Sequence, residues 1–183
     1  TILLPMPDSS HLLLFIVAGW LLNLTPGPDV LYIVSRSLKG GWRAGLVAGA
    51  GVNAGCFVHI FAAALGVGAL LAASATAFTI LKWIGAAYLV WIGLKTLLAR
   101  PAAGATDYQA AAKALPTDTW KSLFLGGFWT NVLNPKVVLF FLAFLPQFIS
   151  PDSSSKAEAF LALGLLFNLN SIPVNAGWAL AAA

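Results

Sequence analysis

Residues 11–35 read HLLLFIVAGWLLNLTPGPDVLYIVS, and this stretch decides the fold. It is longer than the roughly 20 apolar residues that span a bilayer. Its second half is interrupted by Thr25-Pro26-Gly27-Pro28-Asp29. Pro26 and Pro28 remove backbone donors and, with Gly27, must break or sharply bend a helix. Backbone groups freed at membrane depth are tolerated only where they line a cavity or lie against protein. A carboxylate at Asp29 costs about 3 kcal/mol on insertion scales, so it must be paired, hydrated or protonated. Two compatible roles stay open for it: capping the second half-helix, or handling substrate or protons.

Outward from this run, four more hydrophobic segments follow, at about 44–73, 79–98, 122–149 and 157–181. The second of the five segments carries no charged residue, and the third has Lys82 and Lys95 near its ends, within snorkelling reach of headgroups. Arg36, Lys39 and Arg43 stand between the first two segments; Arg100, Lys113 and Lys121 stand between the third and fourth. The opposite linkers, 73–78 and 150–156, contain only Lys156. The positive-inside rule then places 36–43 and 99–121 in the cytoplasm and the N-terminus outside.

The polar linker 99–121 divides the chain into halves, 1–98 and 122–183, and each half opens with a segment broken at proline. Asn134-Pro135-Lys136 is the second break. The two broken segments enter from opposite sides, which predicts an all-α, inverted-repeat membrane bundle; paired interrupted helices point to a transporter's binding site. The second half shows two segments against three in the first, so a 3+3 arrangement expects a sixth helix that this sequence lacks. The first run is long, without preceding basic residues, and reads as a span, not a cleaved signal.

Asn134 can cap a helix restarting at Pro135. Lys136 is then a cation in the otherwise uncharged run 124–148, opposed by the helix dipole. It either snorkels or serves a site. His59 is the ring within a span that titrates near neutrality, with Asn53 on the same helix. A satisfied structural histidine and a proton relay are both open. Asn168, Ser171 and Asn175 recur at helical spacing around Pro173, as a pore stripe or as helix–helix hydrogen bonds. Gly45, Gly49, Gly51 and Gly55 read as close-packing positions, as do Gly85 and Gly93.

Composition closes off other classes. The chain is 60% hydrophobic and 9% charged, with mean hydropathy +0.88; soluble domains are about a quarter charged. The net charge of +4 is scattered, with no cluster to track a phosphate backbone, so no nucleic-acid partner is expected. Cys56 is alone, which excludes an intrachain disulfide or a cysteine metal cluster. No cofactor and no metal site are expected, and the sequence leaves a homo-oligomer open.

Three motifs in order, Leu24-Thr25-Pro26-Gly27-Pro28-Asp29, the run Leu81-Lys82-Trp83-Ile84-Gly85-Ala86-Ala87-Tyr88, and Asn131-Val132-Leu133-Asn134-Pro135-Lys136 followed by Phe144-Leu145-Pro146-Gln147-Phe148, resemble the LysE/RhtB family of amino-acid exporters. The resemblance implies a bacterial inner-membrane transporter, not an enzyme, that expels small amino acids and is driven by the proton gradient. It also implies a sixth segment after a basic loop, where this sequence departs by stopping at Ala183. Metal exporters in the wider superfamily want several in-membrane carboxylates or thiols, and only Asp29 is present. An exporter of another small solute or metal ion is the alternative reading. For a zwitterionic substrate, Asp29 is expected to take the ammonium and Lys136 the carboxylate, with Asn131 and Asn134 adding neutral hydrogen bonds.

Overall fold

The computed structural model describes residues 9–67, 75–98, 118–149 and 155–183. Among them all regular structure is helical. Helix α1 is Ser9–Leu24 and α2 is Pro28–Ala62, continued by a wider turn at Ala63–Val67. Helix α3 is Ala75–Leu98, α4 is Trp120–Val132, and α5 is Pro135–Leu139, extended by Phe140–Phe144 and Leu145–Phe148. Helix α6 is Lys156–Ala181. Residues 73–74, 99–117 (with Arg100 and Lys113) and 150–154 lie outside the described residues, and 75–78, read from the sequence as linker, form the first turn of α3.

The run Pro28–Ala62 is a helical hairpin, not one rod. Gly41 sits at φ 76° and ψ 175°, a conformation open to glycine and strained for residues with a Cβ. A Cβ on Gly45 would touch Ser37 Oγ, and one on Gly49 would lie 3.7 Å from Ile33 Cδ1. On a straight helix these pairs would stand about 12 and 24 Å apart. The chain therefore reverses at Gly41 into two antiparallel arms, 28–40 and 42–62.

Pro28–Gly66 and Lys156–Ala181 are candidate membrane spans by length and hydropathy, and Trp120–Val132 with Pro135–Phe148, bent by 45°, makes a third. Within the first, the arm 42–62 rises about 31 Å, close to the hydrocarbon thickness of about 30 Å. The surface fits an apolar solvent. Leu13, Leu31, Leu133 and Leu169 are each more than 60% exposed, while Asp29, His59, Asn131, Asn134 and Lys136 are buried. Water-soluble chains arrange these residue types the other way round.

Small residues set how closely the helices approach. Cβ atoms on Gly51 and Gly55 would run into the carbonyl oxygens of Phe124 and Phe128, and one on Gly127 into that of Ala48. Arm 42–62 and α4 thus touch backbone to backbone, a packing that only glycine permits. A Cβ on Gly85 of α3 would run into the methyl of Ala143, so a small residue is needed there too. Tyr32 Oη donates to the Leu123 carbonyl at 3.1 Å, and Ser37 Oγ to that of Ala179 at 2.8 Å, tying arm 28–40 to α4 and α6.

The apolar core is aromatic. Phe140 stacks on Phe167 at 4.3 Å between centroids and packs at 6.0 Å from Phe15, joining α1, α5 and α6. The wide turn at 140–144 has a local cause. Pro146 has no N–H for the Leu142 carbonyl and its ring crowds that turn; Leu145 N–H reaches back to Phe140 O instead. At one end of the bundle, Arg36 Nη1 and Lys39 Nζ bind Asp118 Oδ2 at 2.7 and 2.9 Å. The hairpin turn and the start of α4 therefore share that end. The Lys39 hydrogen bond, aided by Arg36, holds the Asp118 carboxyl below the usual carboxylate range against a smaller desolvation effect.

Candidate functional site

Two helix breaks build the site. Helix α1 ends at Leu24, Gly27 is extended (φ −150°, ψ −173°), and α2 restarts with Pro28 in its first turn. Asp29 follows, 7% exposed, where the partial positive charge of the helix N-terminus favours a carboxylate. In the other half α4 ends at Val132, Asn134 caps α5 by accepting from Lys136 N–H at 3.0 Å, and Pro135 stands at the first position.

At each break one proline, Pro26 or Pro135, frees the carbonyl four residues upstream, and that carbonyl is taken by a basic side chain from elsewhere in the chain. Pro26 has no N–H for the Leu22 carbonyl; Lys136 Nζ donates to it at 3.1 Å and to the Thr25 carbonyl at 2.9 Å. Pro135 has no N–H for the Asn131 carbonyl; His59 Nε2 donates to it at 3.0 Å, which fixes the proton on that nitrogen. Asn134 N–H also reaches the Asn131 carbonyl, at 2.9 Å. Thr25 Oγ1 closes the end of α1 by donating to Leu21 O at 2.7 Å.

These contacts explain how a lysine survives near the start of α5. Its ammonium leaves that helix's own positive end and reaches the negative, carbonyl end of α1, a favourable exchange. Asp29 makes the reciprocal contact: its Oδ2 accepts from Asn131 Nδ2 at 2.9 Å. Asp29 and Lys136 are thus not paired with each other, although both line one cavity. Asn23, Asn131, Ser171 and Asn175 line it too. The cavity offers about 20 Å³, room for one water molecule.

Several buried polar atoms around it have no protein partner: Asp29 Oδ1, Asn131 Oδ1, Asn23 Nδ2 and Asn134 Nδ2. Leaving such an atom unsatisfied costs about 1–3 kcal/mol; the Asn134 side chain stands close to the Asp29 carboxyl, and a water in the cavity has donors and acceptors to meet. Among the described residues no group of three His, Cys, Asp or Glu could hold a metal ion.

The sequence-based candidates separate into two places. Asp29, Asn131 and Lys136 meet at the cavity, with Thr25, Pro26, Gly27, Pro28, Asn134, Pro135 and His59 shaping the helix ends around it. Asn53 sits apart. Its Nδ2 donates to Asn168 Oδ1 at 2.9 Å and Ser171 Oγ at 2.6 Å, while its Oδ1 accepts from Asn175 Nδ2 at 3.0 Å. This knot joins arm 42–62 to α6 and floors a separate apolar groove of about 420 Å³. Ser171 and Asn175 thus serve both readings of the polar stripe, bonding across helices while lining the cavity. Asn23 was not among the sequence candidates; an amide three residues before the first proline of a broken apolar run was its only signal.

Residues 20–183 match the family described as LysE type translocator. The homoserine/homoserine lactone efflux protein of Salmonella typhimurium is 34% identical over 165 residues, covering 90% of this chain and 77% of that protein. A Vibrio cholerae protein described as an uncharacterized membrane protein is 36% identical over 155 residues, 84% of this chain and 71% of its own length. The leucine efflux protein of Enterobacter is 31% identical over 157 residues, 86% and 72% respectively. No solved structure matches the chain. The chain belongs to the LysE type translocators, a family of membrane transporters and not of enzymes.

Proposed function

We propose that this translocator exports small amino acids, or close derivatives such as their lactones, across the bacterial inner membrane in exchange for protons. The observation that carries the reading is the cavity between the two helix breaks, where Asp29 and Lys136 present opposite charges to one space without pairing. An α-amino acid matches that arrangement: its ammonium suits Asp29 Oδ1 and Asn131 Oδ1, and its carboxylate suits Lys136. The names of two relatives support the substrate class. A cavity of about 20 Å³ holds no amino acid, so this is a closed arrangement that opens to admit one. Without substrate, protonation of Asp29 would discharge the acidic end, which is the simplest route to proton exchange.

In this reading residues 1–98 and 122–183 are inverted repeats joined by a cytoplasmic linker at 99–121. The reciprocal contacts support it: Asp29 of the first repeat holds the end of α4, and Lys136 of the second holds the end of α1. The Arg36–Lys39–Asp118 cluster is consistent with a shared cytoplasmic end and an outside N-terminus.

The test is efflux from loaded inverted and right-side-out vesicles, against a panel including homoserine, its lactone, leucine, threonine and lysine, with and without a pH gradient. Outward transport of at least one amino acid, abolished by collapsing the gradient, is expected. Transport of none, or rates indifferent to the gradient with Asp29→Asn fully active, would remove the reading.

A further inference from the structure

We propose that Asn23 is a substrate-binding residue, whose amide holds the acyl oxygen of the substrate beside Lys136 and accepts an uncharged carbonyl as readily as a carboxylate. The proposal rests on the reading above and adds to it the residue that lets one site serve a free acid and its lactone or ester.

Asn23 lies in the last turn of α1 and lines the cavity with Asp29, Asn131 and Lys136. Its Nδ2 is buried with no hydrogen-bond partner. The carbonyl of the preceding residue, Leu22, is the one that receives Lys136 Nζ at 3.1 Å. The lysine ammonium and the turn carrying Asn23 are therefore side by side at the same helix end. The other lining residues leave unpartnered atoms of the opposite kind: Asp29 Oδ1 and Asn131 Oδ1, on side chains bonded to each other, are both acceptors. The lining thus has a donor pair, Asn23 with Lys136, and an acceptor pair, Asp29 with Asn131. An ammonium fills the second.

The two donors of the first pair differ in what they ask of a ligand. Lys136 is cationic, and already has two carbonyl partners. A carboxylate outcompetes those neutral acceptors because it adds the attraction of opposite charges, strong in a low-dielectric interior, to the hydrogen bond; a lactone or ester carbonyl does not. A neutral amide donor has no such preference, and an unsatisfied one gains from any acceptor. Asn23 is then the anchor common to both forms, and Lys136 the one that favours the acid.

Binding of homoserine, homoserine lactone, leucine and leucine methyl ester to the purified full-length chain in lipid nanodiscs separates these roles. Asn23→Ala is expected to weaken acid and lactone or ester alike, each by roughly tenfold, the worth of one buried hydrogen bond. Lys136→Met is expected to weaken the acids far more than the neutral forms. Asn23→Asp replaces the donor with an anion and is expected to turn the preference toward the lactone and ester. A residue that merely supports the fold would not change that ratio. Thermal unfolding in the same nanodiscs reports folding, and Asn23→Ser is the fallback if Asn23→Ala is unstable. Wild-type affinity for both forms in folded Asn23→Ala and Asn23→Ser overturns the role of Asn23, yet leaves the Asp29–Lys136 site standing if Lys136→Met still fails. Failure of the wild type to bind any of the four ligands overturns both.

Discussion

Replacing Lys136 by methionine separates structure from function at the site. Its Nζ makes two charge-assisted hydrogen bonds, to the Leu22 and Thr25 carbonyls at 3.1 and 2.9 Å, each worth about 1.5–3 kcal/mol. Their loss leaves two carbonyls bare. The same change relieves the burial of an ammonium in a residue 4% exposed, a penalty of several kcal/mol. The two effects oppose each other, so stability is expected to stay within about 2 kcal/mol of the wild type. Affinity for a free amino acid should behave differently. Removing one partner of a buried charge pair costs about 2–5 kcal/mol, which is a loss of roughly 30-fold or more. Equilibrium dialysis with radiolabelled homoserine or leucine in nanodiscs measures it, beside thermal unfolding. Lys136→Arg should not rescue: a Cβ on Gly27 would already lie 3.1 Å from Nζ, and a guanidinium needs more room and a fork of acceptors. Wild-type affinity in a folded Lys136→Met protein refutes the shared-site mechanism.

Changing His59 distinguishes donation from proton transfer: His59→Gln keeps an N–H for the Asn131 carbonyl and should retain proton-driven efflux, whereas His59→Leu should lose affinity several-fold through misplacement of Asn131. Collapse of proton-driven efflux in a His59→Gln variant with normal binding would instead make the ring a relay. Gly127→Ala puts a methyl into the Ala48 carbonyl and should lower thermal stability by about 1–3 kcal/mol or more, the range for overpacking; an unchanged unfolding temperature would show that arm 42–62 and α4 are not in backbone contact. Asp118, whose folded carboxyl titrates below its unfolded value, contributes stability at neutral pH that is lost as pH falls through that depressed value. Thermal unfolding against pH should show the loss in the wild type and not in Asp118→Asn.

Much of this was legible in the sequence because membrane burial restricts what a backbone can do. A proline motif inside an apolar run forces a break, and a charge beside it needs company; Asp29 and Lys136 follow from those two rules alone. Their actual partners did not follow. Lys136 is held by main-chain carbonyls, which every residue carries and no side-chain pattern reports. Asn53 and His59 share a helix, but six residues of separation turn them to different neighbours: Asn53 faces α6 while His59 faces α4. The reversal at Gly41 fell within the basic linker 36–43, but hydropathy could not show that its two arms pack along their length.

The two proline-freed carbonyls give the halves unequal freedom. In the first half the carbonyl is held by Lys136, the cation that the proposed substrate carboxylate must recruit. In the second it is held by His59, whose bond the substrate has no charge-based reason to displace. Binding therefore competes with the contact that secures the end of α1 and leaves the end of α4 as it was. A ligand shifts a conformational equilibrium only by its differential interaction with the two states, and here that difference falls on α1. Arm 42–62, α4 and α6, locked together by glycine contacts and the Asn53 knot, act as the fixed frame. Helix α1 also lies against that frame directly, with Gly19 against Phe167 of α6, and meets α5 through Lys136 and through Phe15 against Phe140, so the contact that the proposed substrate would contest is the one at its C-terminal end.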